Sequence, residues 1–203
     1  RSASTGEVLR SLKVNRRSST WMTAAFSPTG QHVLIATCCE HKPILADHIT
    51  SDSSLDRTGI SRMTTRDAST GEVLLNFTYH RTVKSAAWSP TGDYLLTASD
   101  DGIATLWNAS TGEALRELAD HSIPWLSDSR ETAVFSPAGE RVLTASYDST
   151  AKMWNASTGE VLRRFTPEHS DVRSAAFSPT GEYVLTSISD RSYFTMFDAS
   201  TGE

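Results

Sequence analysis

The chain has 203 residues, a formal net charge of −5, 38% hydrophobic and 21% charged residues, and two cysteines. An acidic balance without a basic cluster argues against a nucleic-acid footprint, and no apolar run approaches the roughly 18 residues that a membrane-inserted helix needs. The cysteines, Cys38 and Cys39, are adjacent and cannot staple a fold, which speaks against a disulfide-built secreted domain. With no leader sequence in view, an intracellular, cytoplasmic location is expected, with an organellar complex as the alternative.

Taken in order, the chain keeps returning to one sentence. Ala-Ser-Thr-Gly-Glu stands at Ala3, Ala68, Ala109, Ala156 and Ala199, with starts 65, 41, 47 and 43 residues apart. After the first copy comes the short run "VLRSL", then "AAFSPTG" from Ala24 and a strand-like run ending at Thr37-Cys38-Cys39. An insertion of about 21 residues, roughly 40–62, follows and includes Ile44 and Leu45. The second copy holds "VLLNF", His80, "AAWSPTG", Ser99, Asp101 and "TLWN" ending at Asn108. The third holds "ALREL", His121, a shorter insertion at about 122–129 with Ile123, Trp125 and Leu126, then "AVFSPAG", Ser146, Asp148 and "KMWN" ending at Asn155. The fourth holds "VLRRF", His169, "AAFSPTG", Ile188, Asp190 and "TMFD" ending at Asp198.

A fixed period near 41 residues identifies a repeat architecture, with modules at about 3–67, 68–108, 109–155 and 156–198 in a single domain. Ser-Pro-Thr-Gly and Ser-Thr-Gly-Glu are turn chemistry, where Pro presets φ and Gly supplies a positive φ. The short apolar runs between them are strands rather than helices, and four strands per module at this period describe a propeller blade. Runs such as "YLLTAS" are apolar on both faces, as suits a sheet held between two others.

On these markers the chain resembles the WD-repeat family of β-propellers. The resemblance implies an all-β fold of four-stranded antiparallel blades, four of them present, as part of a larger propeller in preference to a complete four-bladed ring. It also implies that Ala-Ser-Thr-Gly-Glu joins the third strand of a blade to the outermost fourth. That leaves "VLRSL" as an outer strand without its own three-strand set. The family's buried hydrogen-bond chain would run through Trp107, Ser99, His80 and Asp101 in the second copy, and through Trp154, Ser146, His121 and Asp148 in the third. In the fourth copy Ile188 and Phe197 take the hydroxyl and indole places; the first keeps only Thr37, with Cys39 at the aspartate place. The first and fourth blades are therefore expected to depend on apolar packing.

No phosphate loop, His-Glu-x-x-His or nucleophile elbow is present, and His80, His121 and His169 repeat with the module. A residue that repeats with the module serves the module, so no enzymatic activity is expected. "TCCEHKPILADH" offers Cys38, Cys39, His41 and His48, but structural zinc sites space their cysteines two to four residues apart and neighbours on a strand point to opposite faces. No metal and no cofactor is expected. What remains is binding: a scaffold for other proteins, with a dedicated structural subunit of one permanent complex as the alternative. Partner contacts are expected from the insertions, at Ile123, Trp125, Leu126, Ile44 and Leu45, because a tryptophan the module does not require is a candidate anchor.

Overall fold

The computed structural model describes residues 11, 22–39, 60–119, 132–146, 148–167, 172–188 and 193–203. These form fifteen strands and no helix. The first sheet is β1 (Met22–Phe26), β2 (His32–Cys39), β3 (Ile60–Asp67) and β4 (Val73–Tyr79), antiparallel and in chain order. The second is β5 (Val83–Trp88), β6 (Tyr94–Ser99), β7 (Ala104–Asn108) and β8 (Ala114–Leu118). The third is β9 (Thr132–Phe135), β10 (Arg141–Ser146), β11 (Thr150–Asn155) and β12 (Val161–Phe165). The fourth has three strands, β13 (Val172–Phe177), β14 (Tyr183–Ile188) and β15 (Phe194–Asp198).

The sequence module and the sheet are offset by one strand, as the repeat pattern implied. The module at 68–108 supplies β4 to the first sheet and β5, β6 and β7 to the second. The first insertion is shorter than repeat counting suggested. Ile60, Ser61 and Arg62 already belong to β3, paired with Cys39, Cys38 and Thr37, because β2 and β3 run longer than their counterparts. Apart from Ser11, the "VLRSL" run lies outside the described residues, as do His121, His169, Asp190 and both partner-contact stretches.

Inner strands β1, β5, β9 and β13 lie side by side in chain order, and among the described residues β13 and β1 share no comparable contact. Between successive blades sits one apolar junction, built three times from equivalent residues. Leu34, Ala36 and Met63 of the first blade meet Leu95, Ala86, Trp88 and Trp107 of the second. Leu96, Ala98, Ala104 and Leu118 then meet Ala133, Phe135, Val142 and Trp154. Leu143, Ala145, Ala151, Met153 and Phe165 meet Ala175, Phe177, Val184 and Phe197. Leu34, Leu96 and Leu143 are fully buried, each contributing about 1.5–3 kcal/mol relative to exposure.

The repeated turn is held from three sides. The first side is internal: Asp67, Asn108, Asn155 and Asp198 accept, through Oδ1, the backbone N–H groups two and three residues on, at 2.7–3.0 Å. Second, the alanine N–H of each turn donates to a carbonyl of the Ser-Pro turn in the same blade, as Ala109 does to Asp93 and Ala156 to Glu140, both at 2.9 Å. Third, the preceding blade reaches across: Arg116 donates to the Thr158 carbonyl at 2.8 Å and Arg163 to that of Thr201. A Cβ on Gly112 would sit 3.0 Å from the Phe77 ring of the first blade. Gly112→Ala is therefore expected to destabilise more than Gly92→Ala. Both glycines have positive φ, +73 and +83, and share the left-handed strain of about 1–2 kcal/mol, but at Gly92 the nearest atom is Pro28 at an ordinary 3.9 Å. Urea unfolding of the two variants measures the difference; equal losses would show that the turn does not bear on the neighbouring blade.

Candidate functional site

Antiparallel order sorts the loops to two ends. The Ser-Pro turns and the Ala-Ser-Thr-Gly-Glu turns join first to second and third to fourth strands at one end of the blades. The second-to-third and fourth-to-next connections belong to the opposite end. Both insertions are of that second kind: one links β2 to β3 and the other β8 to β9. They leave and re-enter the fold at the same end, beside the turns of Asp101 and Asp148.

Under that end, the buried hydrogen bonds differ from the chain the family resemblance implied. Trp107 Nε1 donates to Thr97 Oγ1 at 2.9 Å, not to Ser99, and Trp154 Nε1 donates to Thr144 Oγ1 at 2.8 Å, not to Ser146. The register explains it: Trp107 stands opposite Leu95 and Trp154 opposite Val142, which brings the threonine two residues further along the strand within reach and leaves the serine, four residues along, at the strand end. Ser99 instead lies 2.7 Å from Asp101 Oδ1 and 2.9 Å from the Ile103 carbonyl, so it closes the turn.

His80 is exposed and makes no bond to Ser99 or Asp101. Its neighbour Arg81 forms the ion pair with Asp101 and lies over the Tyr79 ring at 6.0 Å. A guanidinium gives the carboxylate a charge-assisted partner with a planar, two-pronged donor set. Tyr79 in turn bonds Thr105 at 3.0 Å and packs edge-on against Trp107, with centroids 5.0 Å apart. In the third blade Asp148 accepts from the Thr150 hydroxyl at 2.6 Å and faces Lys152 Nζ at 3.6 Å, the lysine being almost wholly buried.

The degenerate blades also read differently. Position for position, Thr186 of the fourth blade matches Thr97 and Thr144, so an acceptor is present there and Ile188 is not the missing hydroxyl. Phe197 occupies the indole place, opposite Val184, and stacks on Phe165 with centroids 5.4 Å apart. In the first blade the matching pair is Ile35 and Arg66, and Arg66 donates to the Gly71 carbonyl at 3.0 Å. Cys38 is buried, its Sγ 3.6 Å from Thr82 Oγ1.

Successive four-stranded antiparallel sheets stacked along their inner strands, each bearing its loops at two opposite ends, are the blades of a β-propeller. The chain belongs to the WD-repeat family: the family model "WD domain, G-beta repeat" matches residues 71–108, 112–155 and 159–193, more than half of the sequence. Of the solved structures, "Structure of Dos1 propeller" is similar with a TM-score of 0.67 at 16% identity, over 86% of this chain and 40% of that one. The likeness shows the fold, and this chain spans 40% of the length of that propeller. No curated protein sequence matches the chain.

Two outcomes test the geometry. In a double-mutant cycle, Trp107→Phe and Thr97→Val should each lose about 0.5–1.5 kcal/mol and couple strongly, whereas Ser99→Ala should be additive with Trp107→Phe. Coupling to Ser99 instead of Thr97 would overturn the assignment. The second outcome concerns Asp67, whose carboxyl is pushed down from the ordinary 3.8 to about 2, first by the Ser69 hydroxyl and then by the Thr70 N–H. The folded value lies below the unfolded one, so the turn's contribution is present above pH 3.8 and lost as pH falls through about 2. Asp67→Asn, copying Asn108 and Asn155, should keep the turn and flatten acid unfolding in that window. An Asp67 carboxyl titrating at the ordinary value by NMR would contradict this.

Proposed function

We propose that this chain is a non-catalytic scaffold for protein assembly that grips partners at the end of the blades from which its two insertions emerge. WD-repeat propellers serve in general as platforms for other proteins. The observation that carries the finer reading is topological. The β2–β3 and β8–β9 connections are the two that exceed the module, and strand direction places both at one end. Loops set on a rigid scaffold are where such folds carry recognition. At the other end the described Ala-Ser-Thr-Gly-Glu turns are held by their Asx bonds, and two of them also by an arginine of the preceding blade.

The residues of this proposal are Ile123, Trp125 and Leu126 in one insertion and Ile44 and Leu45 in the other. None belongs to the repeated pattern, and consecutive apolar residues in a loop are the composition of an anchor. Among the described residues no helix is long and apolar enough to cross a membrane, so no such element competes for the role.

Trp125→Ala combined with Leu126→Ser should weaken capture of native partners at least tenfold, in line with the roughly 2 kcal/mol that truncating a true anchor costs, while the melting temperature stays nearly unchanged. Quantitative pull-down beside a thermal melt reads both. Undiminished capture, or capture lost only together with the fold, would remove these residues from the interface.

A further inference from the structure

The outer edge of the first blade differs from the outer edges of the next two. Among the described residues three blades have a fourth strand, β4, β8 and β12, each the last strand of its sheet. This edge lies on the side of the sheet opposite the inner strands, so it is open whatever stands beside the blade. Each outer strand has a register shift next to its Ala-Ser-Thr-Gly-Glu turn, which interrupts regular pairing at that end. Past the shift, β4 keeps five paired residues, Leu75–Tyr79, whereas β8 keeps three, Arg116–Leu118, and β12 three, Arg163–Phe165.

An open edge is a template for another strand, and proteins ordinarily blunt it with charge or by keeping it short. Strands β8 and β12 do both. Their registers align Arg116 with Arg163 and Glu117 with Arg164, two charged residues in each three-residue stretch. The aligned positions in the first blade hold Leu75 and Asn76, and β4 contains no charged residue at all. Asn76 and Thr78 are exposed. Glu117 and Arg164 are exposed too, with a described blade on either side of theirs, so the openness of the Asn76 position does not depend on which blades are present.

We propose that this edge docks a second copy of this chain, β4 of one copy adding antiparallel to β4 of the other across a two-fold axis, so that the two first blades join into one continuous sheet. What favours a second copy is that β4 is complementary to itself. Centred on Phe77, the paired stretch sets Phe77 against Phe77, Leu75 against Tyr79 and Asn76 against Thr78, so apolar side chains meet on one face and hydrogen-bonding side chains on the other. Centred in the same way, β8 would set Glu117 against Glu117 and β12 would set Arg164 against Arg164, like charges directly opposite each other. A contact of one patch with its own copy closes at two. Because the paired strands run in opposite directions, the two copies turn their insertion ends opposite ways, which makes the dimer a bivalent form of the scaffold proposed above. The pairing itself rests on β4 and stands or falls without that reading.

Multi-angle light scattering on the 203-residue chain at tens of micromolar should give twice the 22.2 kDa of one copy. Asn76→Lys with Thr78→Lys puts like charges opposite each other across the axis, and Asn76→Asp with Thr78→Asp does the same with the other sign. Either variant alone should weaken self-association by about tenfold or more. Mixed in equal amounts, the two should recover a dimer at least as tight as the wild type, because each charge then faces its opposite. Both positions are exposed, so each variant should keep the wild-type strand signal by circular dichroism. Glu117→Lys, at the aligned position one blade on, should leave the dimer as it is. A monomeric wild type would overturn the proposal and leave the edge to a strand of a different protein. Association that survives both variants, that falls with Glu117→Lys, or that mixing the folded variants does not restore would overturn it in favour of another surface.

Discussion

A sheet that is apolar on both faces has no stable place except between two other sheets. Strands β6 and β10 are buried almost without interruption, and this one property organises the molecule. It requires the blades to stack, fixes which faces meet and makes each junction resemble the last. In β14, which has one described blade against it and not two, burial reverts to alternation. The hydrogen-bonded pairs inside the blades are secondary to this. Trp107 and Trp154 belong first to the junctions, as large apolar bodies against the preceding blade, and their bonds to Thr97 and Thr144 satisfy the one polar atom each brings along.

The repeated Ala-Ser-Thr-Gly-Glu follows from the same constraint. The residue before it accepts the turn's N–H groups; the alanine bonds the neighbouring turn and packs against the junction. In the third and fourth blades the threonine supplies the carbonyl that the preceding blade's arginine takes. The glycine leaves room for that arginine: a Cβ on Gly159 would lie 2.6 Å from Arg116 Cδ. Each letter has a contact, several of them with a different blade, so the motif is more uniform than a solvent-exposed turn needs to be.

Much of this was legible in the sequence because punctuation survives repetition. Turn residues at fixed offsets gave the strands, the blade count and the one-strand offset between module and sheet. The misreadings have physical causes. Thr97 and Ser99 are both hydroxyls on the same face of one strand, and only the register against Trp107 decides between them. His80 and Arg81 are adjacent, and the family pattern drew attention to the histidine where the carboxylate took the cation. Arg66 at the indole place was hidden by the insertion before it and by a side chain that shares no aromatic character with tryptophan. Arg116 and Arg163 looked like solvated residues on outer strands; their acceptors lie 42 and 38 residues ahead, a distance no local pattern spans. Ile44, Leu45, Ile123, Trp125 and Leu126 fall outside the repeat altogether, so periodicity carries no information about where their side chains go.

The arginine-to-turn contact has a consequence for how such a molecule can change length. Because the apolar core of each of the three junctions is built from equivalent positions, a whole module can be gained or lost and the blades on either side meet a surface they already fit. A gain of a few residues within a turn has no such neutrality, since it moves a carbonyl away from an arginine in another blade. The fold has, in effect, a reading frame one blade long: the two insertions sit at the end away from the arginine-held turns, and those turns keep time.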